Sequence, residues 1–219
     1  MSDNQTVTTQ PMPVKLLAKL VSYLFHPLFI PTFVFLWLLF RFPYEFAGIS
    51  PVAVRYRIFS VFWMTAFFPA FAVLLLWRLK FINSIMLRTP KDRIVPYMIT
   101  MFFYWWMWYL SRNFTDQPIV IKCFYLGIFL TTVAGLVVNN FLKISMHAMG
   151  AAGAMAFVIL TCFTYGMHLG ADISVAVVAT GLICTARLAL SEHAAAEVYI
   201  GLLAGVTCQF IAYYFTMIF

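Results

Sequence analysis

The chain has 219 residues, of which 64% are hydrophobic and only 10% are Asp, Glu, Lys or Arg, and its formal net charge is +7. Soluble domains carry roughly 25% charged residues, so this composition excludes a water-soluble fold and predicts a polytopic membrane protein. In such a protein the positive charge indicates basic loops or an anionic substrate, and not a nucleic-acid partner.

The chain begins with a polar stretch, 1–13, which we predict to be a disordered tail. We do not expect it to be a cleavable signal peptide, because no short apolar core with a small-residue cleavage site follows it. The remainder, 14–219, shows no linker or change of composition and predicts a single transmembrane domain. A spanning helix needs about 20 mostly apolar residues. Seven segments approach this requirement, and they are 17–40, 58–79, 94–110, 118–138, 148–167, 173–190 and 194–219.

Two of these segments are irregular. His26-Pro27 and Pro31 predict a kink in the first, because proline removes a backbone hydrogen-bond donor. The third is short and rich in aromatic residues that favour the membrane interface, so it is expected to be tilted or partly interfacial. We therefore predict an all-α transmembrane helical bundle with six or seven spans.

All four cysteines lie in apolar segments, and their spacing does not match a metal site. We predict that they are packing or lipid-facing residues: Cys123, Cys162, Cys184 and Cys208.

Polar residues concentrate in three loops. With seven spans, the loops after the second, fourth and sixth fall on one side of the membrane. They contain most of the candidate polar side chains, namely Arg88, Lys91, Arg93, Asn139, Asn140, Lys143, Ser145, His147, Arg187, Glu192, His193 and Glu197. We therefore predict an active site formed by helix ends near one membrane face.

His193 and Glu197 carry the clearest chemistry. On a helix that begins near Ser191 they would lie one turn apart on the same face. A carboxylate beside an imidazole fixes its tautomer and supports it as a base or nucleophile. Cationic groups nearby, together with helix N-termini at Ser145 and Ser191, would stabilise a phosphoryl group. Together, the two histidines, the acidic side chain and the basic residues predicted at this face favour an enzyme that transfers a phosphoryl group.

The stretch 186–197, with Arg187, His193 and Glu197, resembles the third signature of the type 2 phosphatidic acid phosphatase superfamily, S-R-x5-H-x3-D. Upstream, 144–147 resembles the second signature, P-S-G-H. The resemblance covers the last third of the chain well and the first two thirds poorly. It implies a membrane phosphatase that acts on a lipid phosphomonoester or diphosphate and needs neither metal nor organic cofactor.

The resemblance also implies a role for each matching residue. His193 would be the nucleophile that forms a phosphohistidine, Glu197 would orient it, and His147 would protonate the leaving group. Arg187 and Ser145 would bind phosphate oxygens. The first signature, K-x6-R-P, is absent as written, and its cations are expected from Arg88, Lys91, Arg93 and Lys143.

Several departures from the signatures leave other functions open. Ile144, Met146 and Ala186 stand where the superfamily has Pro, Gly and Ser, and Glu197 replaces Asp. These changes favour a catalytically lapsed protein that binds or translocates lipid phosphates, whereas the retained His147, Arg187, His193 and acid favour the enzyme. A third alternative is a phosphotransferase between lipids, for which the sequence offers no acceptor site.

The expected location is a bacterial inner membrane, with membrane lipids and a lipid phosphate as partners; the sequence gives no oligomeric state. Seven spans put the amino terminus on the side of the site, and the Lys and Arg count predicts that this side is cytoplasmic. The resemblance implies the outer face, and we favour the periplasmic side.

Overall fold

Eight α-helices make up most of the computed structural model, which describes residues 10–87 and 89–218. The prediction of an all-α fold is confirmed within these ranges. The helices are α1 Met12–Leu24, α2 Ile30–Arg41, α3 Pro51–Arg78, α4 Pro90–Arg112, α5 Ile119–Val138, α6 Met146–Thr164, α7 Gly170–Ala189 and α8 Ala195–Ile218. The predicted tail lies outside the described residues except at 10–13, where α1 already begins, and Arg88 also lies outside them.

Five of these helices, α3 and α5 to α8, are long and apolar enough to cross a membrane. The chain is therefore an integral membrane protein. α2 is apolar but has only 12 residues. α4 has 23 residues and carries charges in its first turn. The predicted number of six or seven spans depends on these two helices and stays a prediction.

The first predicted span is divided into two helices. α1 ends at Leu24, and α2 begins at Ile30. Pro27 explains the position of the break, because proline disfavours helical geometry in the residue before it and cannot donate a backbone hydrogen bond. Pro31 lies in the first turn of α2, where a proline is tolerated. His26 consequently lies at a helix boundary and not inside a kinked span.

α6 is the buried centre of the bundle, and α8 packs closely along it. A Cβ atom on Gly201 would lie 3.0 Å from the Ser145 carbonyl oxygen, and one on Gly205 would lie 3.0 Å from the Gly153 nitrogen. Both contacts are with backbone, so the two helices approach each other through their glycines. This packing fixes the start of α6 against the start of α8.

Hydrogen bonds join the helix ends on this face. Asn139, after α5, donates from Nδ2 to the Pro90 carbonyl at the start of α4 (2.8 Å). Ser145, before α6, donates its backbone N–H to the Glu197 carbonyl in α8 (3.2 Å). The ends of α5 and α7 and the starts of α4, α6 and α8 therefore meet in one polar region.

Candidate active site

His193 is held by two acceptors at one ring nitrogen. Its Nδ1 lies 2.7 Å from Glu197 Oε2 and 3.1 Å from the Lys143 carbonyl oxygen. Both oxygens can only accept, so Nδ1 carries the proton, and in the neutral ring Nε2 keeps its lone pair. The residue is only 8% exposed. The arrangement orients a neutral imidazole with one free basic nitrogen.

The predicted last segment, 194–219, matches α8, but the prediction that Ser191 caps this helix is wrong. Ser191 adopts a left-handed conformation (φ 54°) just after α7, and α8 begins at Ala195. The chain therefore turns between the two helices and His193 precedes α8. Glu197, in the first turn, accepts a hydrogen bond from the Ala194 N–H through Oε2 (3.2 Å). The same carboxylate thus secures the helix start and the imidazole.

Ser145 caps α6. Its Oγ accepts a hydrogen bond from the Ala148 N–H (3.4 Å), and the residue is fully buried. The Ser145 hydroxyl therefore accepts a hydrogen bond from α6, the helix that Ser145 was predicted to cap. The other N–H groups in the first turn of α6 have no partner within the helix, and such groups favour an anion.

Three of the predicted cations lie around His193. The Arg187 side chain is 8% exposed; it donates from Nη1 to Ser22 Oγ (3.4 Å) and forms an ion pair with Glu192 through Nη2. Lys143 donates from Nζ to the Glu192 carbonyl (3.1 Å). Arg93 donates from Nη1 to the Ile144 carbonyl (3.0 Å).

Of the two other predicted cations, only Lys91 lies in the described ranges, and it is not joined to this cluster. Lys91 is exposed and makes no hydrogen bond or ion pair with the cluster residues that the structure describes. Arg88, as stated above, lies outside the described ranges. Among residues 10–87 and 89–218, the positive charge near His193 thus comes from Arg93, Lys143 and Arg187.

His147 is connected to α1. Its Nε2 lies 3.1 Å from the Ser22 carbonyl oxygen, which only accepts, so this nitrogen holds a proton. Nδ1 is then the ring nitrogen available to exchange a proton with a ligand. The His26 ring lies edge-to-face with the His147 ring, with centroids 5.3 Å apart. Ser22 thus connects His147 with Arg187, which Ser22 contacts through its hydroxyl.

Ser22 and His26 were not predicted to lie in the site, and Glu192 was predicted to lie near it but without a role. His26 could have been found, because Pro27 signals a helix end and a histidine there can face a site. Glu192 lies five residues after Arg187 in a loop already singled out. Ser22 gave no signal, since it is an ordinary serine in an amphipathic helix and reaches the site only through the fold.

An apolar cavity of about 250 Å³ lies next to the histidines. His26 and His147 line it together with residues of α3 to α6 and α8, such as Val73, Ile128 and Gln209. Because most of the lining is apolar and a few polar groups lie among it, the cavity suits an apolar chain.

No group of three or more His, Cys, Asp or Glu side chains suited to a metal ion occurs among residues 10–87 and 89–218. Comparisons with protein-family models, with curated proteins and with solved structures give no match for the chain. What the site can do is therefore inferred from its geometry and from the sequence resemblance.

Burial is the main cause that lowers the pKa of His193 from 6.5, and the charges of Arg187 and Arg93 lower it further, whereas the hydrogen bond that His193 donates to Glu197 raises it. A lowered pKa means that the neutral ring predominates at pH 7 and is lost only as the pH falls through the lowered value. We expect the carbon NMR titration of His193, assigned with His193→Gln, to have its midpoint below pH 6.5. In Arg187→Gln the midpoint should move upward, because a positive charge is removed; an unchanged midpoint would contradict this assignment.

Proposed function

We propose that the chain is a membrane-embedded lipid phosphatase that hydrolyses a lipid phosphomonoester or diphosphate through a phosphohistidine at His193. The observation that carries the proposal is the fixed tautomer of His193: Nδ1–H points to Glu197 and the Lys143 carbonyl, which leaves the Nε2 lone pair as the nucleophile. The resemblance of 186–197 to a phosphatase signature supports the same reaction.

In the first step, Nε2 of His193 attacks phosphorus and the bond from phosphorus to the leaving oxygen breaks. His147, which takes up a proton as the phosphate dianion binds, gives it from Nδ1 to that oxygen while its Nε2–H stays bonded to the Ser22 carbonyl. Glu197 stabilises the positive charge that develops on the His193 ring. Arg187, Lys143 and Arg93 stabilise the phosphoryl oxygens.

In the second step, water attacks the phosphohistidine. His147, now neutral, takes a proton from the water through Nδ1, and the bond between phosphorus and Nε2 breaks with its electron pair returning to His193. Inorganic phosphate leaves, and both histidines regain their starting protonation states. No residue beyond those described is needed for the proton balance.

The position of the site supports a lipid substrate. The phosphate would bind at helix ends, and the apolar cavity beside His147 would accept the start of the lipid tail. In this proposal α4 and the α1–α2 pair complete a bundle of six or seven spans in a bacterial inner membrane, with the site facing the periplasm. Isoprenoid diphosphates, phosphatidic acid, phosphatidylglycerol phosphate and phosphorylated lipid A are the candidate substrates.

Substitution of the orienting acid gives a specific expectation. Glu197→Gln keeps the size of the side chain but removes the charge that favours Nδ1–H and the cationic ring of the phosphohistidine. We expect kcat to fall by about 10²- to 10⁴-fold, with a smaller change in KM. A loss confined to KM would mean that Glu197 binds substrate and does not orient His193.

The proposal is tested by measuring phosphate release from these four lipid classes, in detergent micelles containing EDTA, by purified full-length protein. We expect release from at least one class in the presence of the chelator. If the folded protein releases phosphate from none of them, the phosphatase proposal fails, and a lapsed protein that binds or translocates lipid phosphates becomes the better account. Transfer of the phosphoryl group to a second lipid instead of water would identify a phosphotransferase.

A further inference from the structure

His26 is a half-buried histidine that has no role in the reaction proposed above. It lies in the break between α1 and α2, and its ring packs edge-to-face against that of His147, with centroids 5.3 Å apart. Ser22, four residues earlier, contacts both His147 and Arg187. His26 therefore lies beside the residue proposed to protonate the leaving oxygen.

The turn after α1 fixes the position and the tautomer of the His26 ring. The His26 carbonyl accepts a hydrogen bond from the Phe29 N–H (2.9 Å), and its Nδ1 accepts one from the Leu28 N–H (3.4 Å). A ring nitrogen that accepts keeps its lone pair, so the proton of the neutral ring is on Nε2. This Nε2–H makes no hydrogen bond to any residue in 10–87 or 89–218 and is available to a ligand.

The surroundings of this donor favour an anion. His26, His147 and Met146 all line the cavity next to the site. Met146 and His147 are the first residues of α6, and their N–H groups have no acceptor within that helix. The start of a helix attracts negative charge. An anionic group bound beside His147 would therefore meet the His26 N–H as well as the start of α6.

We propose that His26 is a specificity-determining residue that favours lipid diphosphates over lipid monophosphates, because its Nε2–H binds the second phosphate. This inference rests on the proposed function. When His193 attacks the terminal phosphorus of a diphosphate, the bond from that phosphorus to the bridging oxygen breaks. His147 gives its proton to the bridging oxygen, which leaves as part of a lipid monophosphate. The second phosphate must therefore lie beside His147, where the His26 ring also lies.

The contact with His26 is made by one class of ligand and not by the other. In a monophosphate the leaving oxygen is bonded to carbon, so the first carbons of the lipid chain take the place of the second phosphate. These carbons cannot accept a hydrogen bond, and the His26 donor is then left unpaired. A hydrogen bond to a charged group changes binding or rate by about 10- to 100-fold. The loss of this donor should therefore affect diphosphates selectively.

The test uses His26→Phe, which keeps an aromatic ring against His147 and Phe29 but has no N–H donor. Initial rates of phosphate release would be measured with farnesyl diphosphate and farnesyl monophosphate, which share one chain, in detergent micelles containing EDTA. We expect kcat/KM for the diphosphate to fall by about 10- to 100-fold. The value for the monophosphate should stay within about threefold of the wild type, since no hydrogen bond to it is lost.

His168→Phe is the matched control, because His168 is exposed between α6 and α7, away from the site. We expect it to hydrolyse both compounds as the wild type does. An active His26→Phe with an unchanged ratio of the two kcat/KM values would overturn the inference and leave the proposed function intact. A folded His26→Phe that loses both activities equally would also overturn it, since His26 would then only hold His147. Absence of wild-type release from every lipid class would overturn the proposed function as well.

Discussion

His193→Gln is expected to reduce phosphate release by at least about 10⁴-fold, because the amide cannot act as the nucleophile that forms the covalent intermediate. Gln preserves much of the side-chain volume at this buried position, so the variant should remain folded. The loss should be in kcat, since the cations that bind the phosphate are untouched. Release of phosphate from the best lipid substrate is the measurement.

His168→Gln is the control for this variant. His168 is exposed between α6 and α7, at the end of the bundle away from His193. We expect this variant to keep wild-type kcat and KM. A His193→Gln protein that is folded and retains more than about a tenth of wild-type kcat would exclude His193 as the nucleophile, since loss of a nucleophile costs several orders of magnitude.

Gly205→Ala is expected to have the largest effect on stability. The added methyl group would overlap the Met149 carbonyl oxygen and would lie 3.0 Å from the Gly153 nitrogen. Both neighbours are backbone of α6 and cannot rotate away, so the helices must separate. We expect a cost of about 3 kcal/mol, measured as a lower midpoint of thermal unfolding in detergent. Activity should fall as well, because the same packing holds His147 beside the start of α8.

Gly181→Ala separates this packing effect from the general effect of replacing glycine. Gly181 lies in α7, and a Cβ atom there would meet nothing within 4 Å. Since alanine favours helix more than glycine does, this variant should be as stable as the wild type or more stable by about 0.5–1 kcal/mol. Equal losses in the two variants would contradict the close α6–α8 contact.

Much of the helical architecture could be predicted from the sequence. Apolar runs of about 20 residues predict helices because the bilayer requires internal backbone hydrogen bonds, and the predicted segments 118–138 and 173–190 correspond to α5 and α7. The structure also brings His193 and Glu197 together, as their spacing predicted. The predicted reason was that both residues lie one turn apart in the same helix. In the structure, His193 precedes α8, and its contact with Glu197 crosses the start of that helix.

The remaining features depend on contacts between distant parts of the chain. Ser22 reaches His147 and Arg187 across more than 120 residues, and no local pattern encodes such a contact. Arg93 was predicted to bind phosphate, but its bond to the Ile144 carbonyl shows that it also joins α4 to the segment before α6. Ser191 was wrongly predicted to cap α8 because serine is a good helix cap by type, yet its left-handed backbone here belongs to the turn after α7.

The measurement that tests the central claim most directly is the capture of the covalent intermediate. Full-length protein would be mixed with the best lipid substrate, carrying labelled phosphate, quenched under alkaline conditions within one turnover, and digested for peptide mapping. The account predicts a label that is stable to base and labile to acid, located on His193 and missing from His193→Gln. A burst of phosphate release with no label on the protein, or a label on another residue, would contradict it.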